Sequence, residues 1–170
     1  LSEPHMQIAV LSDTHNNLSA LQTAVSIIKT HGISRIIHCG DLTDPDTLNP
    51  LLDGFVVSYV FGNGDFASGS IRLQLHIADP RNTAEKEHQE TIDQLKICAI
   101  HSHATGRLEY LSDSGTFDVI FFGHTHHRCD SVQGVTRLIN PGALGGLCNE
   151  KRSFCIFDTL NQKNQFIYID

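Results

Sequence analysis

Short apolar runs that stop abruptly at polar residues set the pattern of this chain. Five such runs, rich in β-branched and aromatic residues, each end near a turn residue and an Asp, Asn or His. They occupy residues 8–11, 35–39, 56–61, 96–100 and 119–122. Runs of this length between turn residues predict buried strands. In an open α/β sheet, ligands bind beyond the carboxyl ends of such strands, so the five ends predict one shared site.

Helical spacing follows the first of these strands. Apolar residues recur there at positions that share one helix face: Leu18, Leu21, Ala24, Val25 and Ile28. Asn17 is a suitable N-cap and Gly32 a suitable stop for this helix. A helix between two buried strands makes a βαβ unit, whose crossover is expected to be right-handed. Shorter helices are predicted over residues 45–52 and around residues 108–111.

The remaining segments are less uniform. Within residues 66–94, the least regular part, residues 72–78 are predicted to be extended and residues 80–90 to form a polar, turn-rich excursion on the surface. Beyond His126, four runs predict strands joined by turns, at residues 129–132, 136–140, 154–159 and 165–169. We expect these strands to form a second, antiparallel sheet packed on the first, and hence a layered α/β sandwich.

Length and charge narrow the class of protein. A chain of 170 residues is long enough for one domain with its own core, which we expect to span residues 6–170. Residues 1–5 precede the single methionine, Met6, and are expected to be an expression remnant or a disordered N-terminus. A formal net charge of −7 disfavours binding along a nucleic-acid backbone. No apolar stretch approaches the roughly 20 residues of a membrane span, so membrane insertion is not expected.

The cysteines indicate a reducing compartment. Five are present, an odd number, and none forms a CxxC pair. This spacing favours neither a disulfide framework nor a zinc knuckle. Several lie within apolar runs, where a free cysteine behaves as a small buried apolar residue. A cytoplasmic location is therefore expected.

Potential metal ligands cluster at the five strand ends. Neutral imidazoles, carboxylates and amide oxygens are the groups that hold divalent cations in proteins. Seven residues of these types stand at or just beyond the ends: Asp13, His15, Asp41, Asn63, His101, His124 and His126. Seven ligands are more than one ion usually takes. They suit two ions that share a bridging carboxylate, for which Asp41 is the natural candidate.

Each motif alone has an ordinary structural explanation. Asp13 could cap a helix, residues 62–65 could be a tight turn, and His101 could be a partly exposed, hydrogen-bonded imidazole. The segment 123–126 is more specific, because two histidines at i and i+2 on extended backbone point to the same side and can chelate. The joint occurrence of these motifs at strand ends favours a metal-dependent enzyme over the separate explanations.

The order of the motifs resembles that of the calcineurin-like metallophosphoesterase superfamily. Along the chain they are DTH at 13–15, GD at 40–41, GNGD at 62–65, HSH at 101–103, GHTH at 123–126 and NPGA at 140–143. The resemblance spans almost the whole chain. The small size and the lack of a cap domain are similar to the compact bacterial and archaeal phosphodiesterases, to which the retromer subunit Vps29 is also related. The expected fold is α/β, a four-layer α/β/β/α sandwich of two packed mixed sheets flanked by helices.

The resemblance also implies how the ligands divide between two divalent ions. The first ion would take Asp13, His15, Asp41 and His126. The second would take Asp41, Asn63, His101 and His124. The segment 140–142 resembles a family loop that closes near the site, although a proline turn could be its whole role.

Three positions depart from the superfamily pattern. Gly64 stands where phosphoprotein phosphatases have a histidine that assists the leaving group, and Pro45 where they have an arginine. Ser102 replaces the glycine that usually follows the fourth-strand histidine. These differences disfavour protein-phosphatase activity and leave no evident strong general acid.

The first hypothesis for function is a dinuclear metal-dependent phosphoesterase with Asp41, Asn63 and His103 as catalytic residues. The ion pair would lower the pKa of a bridging water, and the resulting hydroxide would attack phosphorus in line. His103 could partly replace the missing general acid, or it could be a solvated, hydrogen-bonded histidine. A small phosphodiester is the first expectation for the substrate and a phosphomonoester the second, with leaving groups of low pKa reacting fastest. Manganese is the expected metal, with iron, zinc or nickel as alternatives.

Two other hypotheses use the same features. A non-catalytic scaffold of the Vps29 kind would dock proteins through a large exposed apolar patch, yet all seven ligand positions hold competent residue types. A nuclease is disfavoured by the acidic charge. The positive residues worth considering near the expected site are few: Arg72, Arg81, Lys86 and Arg107. Homo-oligomer formation is left open.

Overall fold

Two β-sheets packed face to face form the centre of the protein. The computed structural model describes residues 6–169, so residues 1–5 and the prediction made for them lie outside the described residues. Within that range the strands are β1 (Gln7–Leu11), β2 (Arg35–His38), β3 (Val56–Val60), β4 (Thr83–Glu85), β5 (Glu87–Ile92), β6 (Leu95–Ile100), β7 (Val119–Phe122), β8 (Cys129–Gln133), β9 (Thr136–Asn140), β10 (Arg152–Asp158) and β11 (Asn164–Ile169). The helices are α1 (Leu18–Thr30), α2 (Ser68–Ala78) and α3 (Arg107–Asp113), with a 3₁₀ helix at Pro45–Leu51. None of the helices in the described range is long and apolar enough to cross a membrane.

Both sheets are mixed; several helices cover the outer face of the first, and α3 covers that of the second. The first has the strand order β11-β10-β1-β2-β3-β4 and the second the order β5-β6-β7-β9-β8. Alternation along β1 shows the layering: Ile8 and Val10 pack into the apolar layer between the sheets, whereas Ala9 and Leu11 pack into the layer that α1 covers. A third apolar layer joins the second sheet to α3. The predicted four-layer α/β/β/α sandwich is confirmed.

Several predicted elements appear where the pattern placed them. α1 begins after Asn17, whose Oδ1 accepts the backbone N–H of Ala20 at 3.1 Å, and it ends before Gly32. This cap satisfies one of the amide groups that a helix leaves unpaired at its start. β1 and β2 are parallel neighbours on either side of α1 in the chain, as a βαβ unit requires. The shorter helices predicted at 45–52 and around 108–111 are the 3₁₀ helix and α3.

The segment predicted to be extended, residues 72–78, is instead part of helix α2. Apolar residues alternate there with the period of a half-buried strand. In the structure Ile71 and Leu75 are buried four residues apart on one helix face, whereas Leu73 and Ile77 are exposed. The apparent alternation therefore comes from apolar side chains on two different faces of a helix.

The polar stretch at 80–90 is more than a surface excursion, because it carries the chain from one sheet to the other. β4 is the parallel edge strand beside β3, and β5 pairs antiparallel with β6 in the second sheet. Only two of the six β5 residues are buried, which explains the polar composition of this edge strand. Asn82 secures the crossing: its Oδ1 accepts the Val57 N–H at 2.7 Å, and its Nδ2 donates to the Leu75 carbonyl at 2.9 Å.

The expectation of an antiparallel second sheet built from the C-terminal strands is wrong. β10 and β11 extend the first sheet, where β10 runs antiparallel to β1. β8 and β9 join the second sheet, with β9 parallel to β7. The apolar pattern of a strand indicates that the strand is buried, but it carries no information about which strand becomes its neighbour.

Asn82→Ala measures how much the crossing between the sheets contributes to stability. The substitution leaves the buried Val57 N–H without its acceptor and removes one of the two donors to the Leu75 carbonyl, which keeps the Asp79 N–H. We therefore expect the free energy of unfolding to fall by about 2–4 kcal/mol, measured by urea unfolding. Asn149→Ala, at an exposed position, is the matched control and should change stability by less than about 0.5 kcal/mol. Equal effects of the two variants would contradict the role given to Asn82.

Candidate metal centre

Loops from both sheets meet at one edge of the sandwich. β1, β2 and β3 are parallel in the first sheet, and β6 and β7 are parallel in the second. The loop after β1 is joined to the loop after β2, because the His15 N–H donates to the Asp41 carbonyl at 2.9 Å. The loop after β7 joins them, because the His124 N–H donates to Asp13 Oδ2 at 3.0 Å. The predicted site thus receives three loops from one sheet and two from the other.

One cluster of potential ligands surrounds Asp13. His126 Nε2 lies 3.2 Å from Asp13 Oδ1, and His15 Nε2 lies 3.6 Å from the same oxygen. The two imidazole nitrogens are 3.1 Å apart. One ligand atom of each residue can reach a common ion, because all three atoms lie within 4.8 Å of one another.

A second cluster shares Asp13 and extends through Asp41 to His101. His101 Nε2 lies 3.4 Å from Asp41 Oδ2, and His15 Nε2 lies 3.7 Å from the same oxygen. One oxygen of Asp41 is therefore close to a histidine of each cluster. This is the arrangement expected of a carboxylate that bridges two ions.

Hydrogen bonds to the backbone orient two of the histidines so that Nε2 faces the centre. His101 Nδ1 lies 2.7 Å from the Cys39 carbonyl oxygen, and His126 Nδ1 lies 2.8 Å from the Leu147 carbonyl oxygen. A carbonyl only accepts, so in the neutral imidazole Nδ1 carries the proton and Nε2 keeps a lone pair. Each ring is thus held in the tautomer that binds a metal ion through Nε2.

The two carboxylates are held in the same way, through one oxygen each. Asp13 Oδ2 accepts from the Ser12 hydroxyl at 2.6 Å and from the His124 N–H at 3.0 Å. Asp41 Oδ1 accepts from the Gly64 N–H at 2.7 Å. The second oxygen of each carboxylate is left to face the imidazoles.

Two buried atoms at the centre have no hydrogen-bond partner in the described part of the chain. They are Asp13 Oδ1 and His101 Nε2, and both residues are almost completely buried. An unpaired buried polar group costs about 1–3 kcal/mol, and more when it is charged. A bound cation would satisfy both atoms, so the donor types and the orphaned atoms fit divalent metal ions.

The buried charges shift one another's ionisation. Burial opposes the ionisation of Asp41, but His101 and the Gly64 N–H outweigh it and lower the pKa of Asp41 to about 2. Burial likewise opposes the protonation of His101, and the carboxylates of Asp41 and Asp13 nevertheless raise its pKa. Burial opposes the ionisation of Asp13 as well, but hydrogen bonds with His15 and Ser12 lower its pKa, so both carboxylates stay ionised at neutral pH and attract positive charge.

The other predicted site residues lie around these two clusters. The ring centroid of His124 is 5.1 Å from that of His101, and the ring centroid of His103 is 5.5 Å from it. Asn63 lies in the loop after β3 and is exposed. The clusters thus contain five of the seven predicted ligands, and Asn63 and His124 belong to loops at their rim.

Much of the centre is built on strained backbone. Eleven non-glycine residues between 6 and 169 have a positive φ, and five of them are predicted ligands: Asp13, His15, Asp41, His124 and His126. Their φ angles run from 42° to 71°, in the left-handed region that such residues rarely adopt, so the expectation of extended backbone at His124 and His126 is wrong. Backbone of this kind persists only where the surrounding structure enforces it, and it concentrates at functional sites.

Two motif glycines are needed because the backbone passes very close to side chains of the centre. A Cβ on Gly62 would lie 2.1 Å from Asp41 Oδ1, and a Cβ on Gly123 would lie 2.0 Å from the Ser12 hydroxyl oxygen. Either methyl group would have to displace a side chain that belongs to the centre. Close packing therefore explains the first glycine of the GNGD motif and the glycine of the GHTH motif.

Asp65 organises the centre, although it is absent from the predicted site. Its Oδ2 accepts the N–H groups of Asp41 at 3.0 Å and Gly62 at 2.8 Å, and the Tyr59 hydroxyl at 2.8 Å. Its Oδ1 accepts the Thr43 N–H at 2.9 Å. This buried carboxylate ties the loop after β2 to the loop after β3. Its place in the GNGD motif is the only signal in the sequence, and a tight turn explains that motif equally well.

Asn140 fixes the loop after β7. Its Nδ2 donates to the Gly123 carbonyl at 3.1 Å, and its Oδ1 accepts the Gly142 N–H at 2.9 Å. The residues that follow lie against the loop after β1, where the Gly145 N–H donates to the Asp13 carbonyl at 2.8 Å. The segment that begins at Asn140 is therefore more than a proline turn, because it supports two ligand-bearing loops.

Known proteins share this sequence pattern. The chain matches the model of the calcineurin-like phosphoesterase superfamily domain over residues 6–162. It belongs to this superfamily. A phosphodiesterase of Methanocaldococcus jannaschii is 28% identical over 167 residues, which cover 97% of this chain and 100% of that protein. A probable metallophosphoesterase of Bacillus subtilis is 31% identical over 147 residues, which cover 82% of this chain and 75% of that protein.

Solved structures share the fold. An archaeal phosphodiesterase superposes with a TM-score of 0.91 at 27% identity, covering 96% of this chain and 100% of that one. Vps29 of Chaetomium thermophilum superposes with a TM-score of 0.72 at 17% identity, covering 96% of each chain, and this likeness shows the fold alone. Membership of the superfamily confirms the prediction of a metal-dependent enzyme that hydrolyses phosphoric esters.

Gly62→Ala tests the close packing at the centre. The added methyl group would displace the Asp41 carboxylate, so we expect the affinity for manganese to fall at least about tenfold. Isothermal titration of the metal-free protein with manganese measures the change. Gly69→Ala is the control, because a Cβ at that position in α2 would meet nothing within 4 Å. Unchanged affinity in the Gly62 variant would show that the loop accommodates a side chain.

Proposed function

We propose that the protein is a dinuclear metal-dependent phosphodiesterase acting on a small diester, with a phosphomonoester as the second candidate substrate. One observation carries the proposal: Asp41 Oδ2 lies close to both His15 and His101, beside the orphaned oxygen of Asp13. A carboxylate oxygen between two sets of ligands favours two ions over one. The Methanocaldococcus jannaschii relative, itself a phosphodiesterase, supports the class of substrate.

The ligands are proposed to divide into two sets that share Asp41. The first ion takes Asp13, His15, Asp41 and His126, and the second takes Asp41, Asn63, His101 and His124. The short contacts of His126 with Asp13 and of His101 with Asp41 support this division. Manganese is the proposed metal, with iron, zinc or nickel as alternatives, because mixed nitrogen and oxygen ligands suit each of them.

The chain's own contribution is a rigid frame around the reacting phosphate. Divalent ions, when bound, supply Lewis acidity that activates water at neutral pH and neutralises charge on phosphate oxygens. Asp65 ties together the loops that carry Asp41 and Asn63, so these groups are in place before the substrate arrives. The exposed Asn63 amide can then orient a phosphate oxygen. Groups positioned in advance lower the barrier because they need no reorganisation during the reaction.

His103 is proposed to supply the proton that the leaving oxygen takes up. Its side chain is exposed, and its ring centroid lies 6.4 Å from that of His124. An imidazole can donate a proton near neutral pH. A purely solvated histidine is the alternative, and the two roles differ in how the reaction depends on the leaving group.

The structure around the ligands favours this enzyme over a docking scaffold of the Vps29 kind. All seven ligand positions hold residue types that bind metals. Strained backbone at Asp13 and Asp41 and an orphaned atom on His101 would bring no advantage to a surface that only docks proteins. We retain the scaffold as the alternative function.

We propose a cytoplasmic location because the cysteines are free thiols. All five are free thiols within the described residues, and three are buried: Cys39, Cys98 and Cys155. Free thiols that form no disulfide are typical of reducing compartments.

Asp41→Asn tests the bridging role. The variant loses the charge shared by the two ligand sets, so we expect hydrolysis of bis(p-nitrophenyl) phosphate with manganese to fall at least about a hundredfold. Isothermal titration should show fewer manganese ions bound per chain, and His124→Ala should reduce both quantities as well. Asp46→Asn, the same change at an exposed position, is the control. Undiminished turnover in the Asp41 variant would exclude the assignment.

His103→Ala separates the two roles of this histidine. If His103 gives a proton to the leaving oxygen, turnover of methyl phenyl phosphate should fall about a hundredfold, because phenolate is a poor leaving group. Turnover of methyl p-nitrophenyl phosphate should fall less than about threefold, because its leaving group needs little assistance. His76→Ala, an exposed histidine on α2, is the control. Equal losses with the two esters would contradict the proton-donor role.

A further inference from the structure

A cavity of about 310 Å³ adjoins the metal centre and has no role in the function proposed so far. One part of its wall comes from the ligand-bearing loops, through Gly62, His101 and His103. The rest includes apolar side chains, such as Phe61 and Ile100, and charged ones. A ligand whose phosphate sat at the metal centre could therefore place one of its substituents in this cavity.

Lys86 holds a fixed place in the cavity wall, where the chain crosses from the first sheet to the second. On one side of it, the Glu85 carbonyl accepts the Phe61 N–H at 2.8 Å. On the other side, Glu87 pairs with Ile100 in the β5–β6 ladder. β3 and β6 lead directly into loops with predicted ligands, so the backbone of Lys86 is anchored to both.

The charges in this wall do not balance. Arg107 is compensated by Glu87, with Nε 2.5 Å from Oε1 and Nη2 2.7 Å from Oε2. Lys86 is exposed, and within residues 6–169 its ammonium group has neither an ion pair nor a hydrogen bond. The wall thus carries two cationic side chains, Lys86 and Arg107, and one carboxylate, Glu87, so one positive charge is uncompensated. In a chain with a formal net charge of −7, such a local positive charge favours an anionic ligand.

We infer that this cavity receives one arm of the substrate and that Lys86 selects an arm with a second negative charge. The inference rests on the proposed function, because the phosphate must occupy the metal centre. Phe61 and Ile100 give the cavity an apolar lining for the carbon skeleton of the arm, and Lys86 binds its anionic end. The substrate class is therefore a small phosphate ester that carries a further anionic group.

The test compares two phosphonates that cannot be hydrolysed, phenylphosphonate and 3-carboxyphenylphosphonate, as ligands of the manganese-loaded protein. Isothermal titration gives the dissociation constant of each, so the readout is binding and not turnover. We expect the wild-type protein to bind the carboxylated compound about three- to tenfold more tightly. In Lys86→Gln the ratio of the two dissociation constants should fall to about one. Lys96→Gln, which removes the same charge at the far end of β6, should keep the wild-type ratio.

Each of the other outcomes contradicts the inference, and one of them also bears on the proposed function. Equal binding of the two phosphonates by the wild-type protein would overturn the inference and leave the proposed function intact. A preference that persists in Lys86→Gln would place recognition of the anion elsewhere and would also overturn it. If neither phosphonate binds the manganese-loaded protein, the inference fails, and turnover of bis(p-nitrophenyl) phosphate by the same protein shows whether the proposed function fails with it. Circular dichroism of the variants confirms that the compared proteins are folded.

Discussion

Two carboxylates buried where the sheets meet impose the strongest constraint on this structure. Asp13 has no exposed surface and only 3% of Asp41 is exposed. Taking an ionised carboxylate out of water costs several kcal/mol, which must be offset by hydrogen bonds and opposite charge. The protein satisfies one oxygen of each with short hydrogen bonds and leaves the other facing imidazoles. The buried negative charge therefore favours a bound cation between the carboxylates and the imidazoles.

The fold meets this constraint because a different residue holds each of the loops that carry the predicted ligands. Asp65 joins the loops after β2 and β3, Asn140 holds the loop after β7, and Gly145 lies against the loop after β1. The left-handed backbone of the ligands costs on the order of 1–3 kcal/mol per residue, and the packed sheets behind the loops must outweigh it. The predicted ligands are consequently held in place by the fold itself. That preorganisation links the packing of the core to the chemistry at its edge.

Residue type and strand order predicted which polar side chains lie together, whereas the pairing of the strands could not be predicted. The closeness of Asp41 and His101 could be predicted because both follow strands whose carboxyl ends meet at one edge of the fold. Their role as metal ligands stays a prediction. The division of the strands between two sheets could not be predicted, because the apolar pattern of a strand is the same whichever strand lies beside it. α2 was mistaken for extended chain because Leu73 and Ile77 are apolar but exposed. Asp65 was missed because the sequence does not distinguish a buried carboxylate that accepts four hydrogen bonds from an ordinary aspartate in a turn.

Metal binding and substrate choice are subject to different degrees of constraint in this molecule. A change at Gly62 or Asp65 disturbs a carboxylate, a backbone amide and a neighbouring loop at once. Lys86 differs, because its backbone is anchored on both sides while its side chain has no partner within the described residues. The residue at this position can therefore change without cost to the ligand loops, although it lines the same cavity as His101 and His103. In the proposed enzyme, the crossing between the sheets is thus the part of the fold where selectivity for the substrate's second arm can vary while the metal centre stays the same.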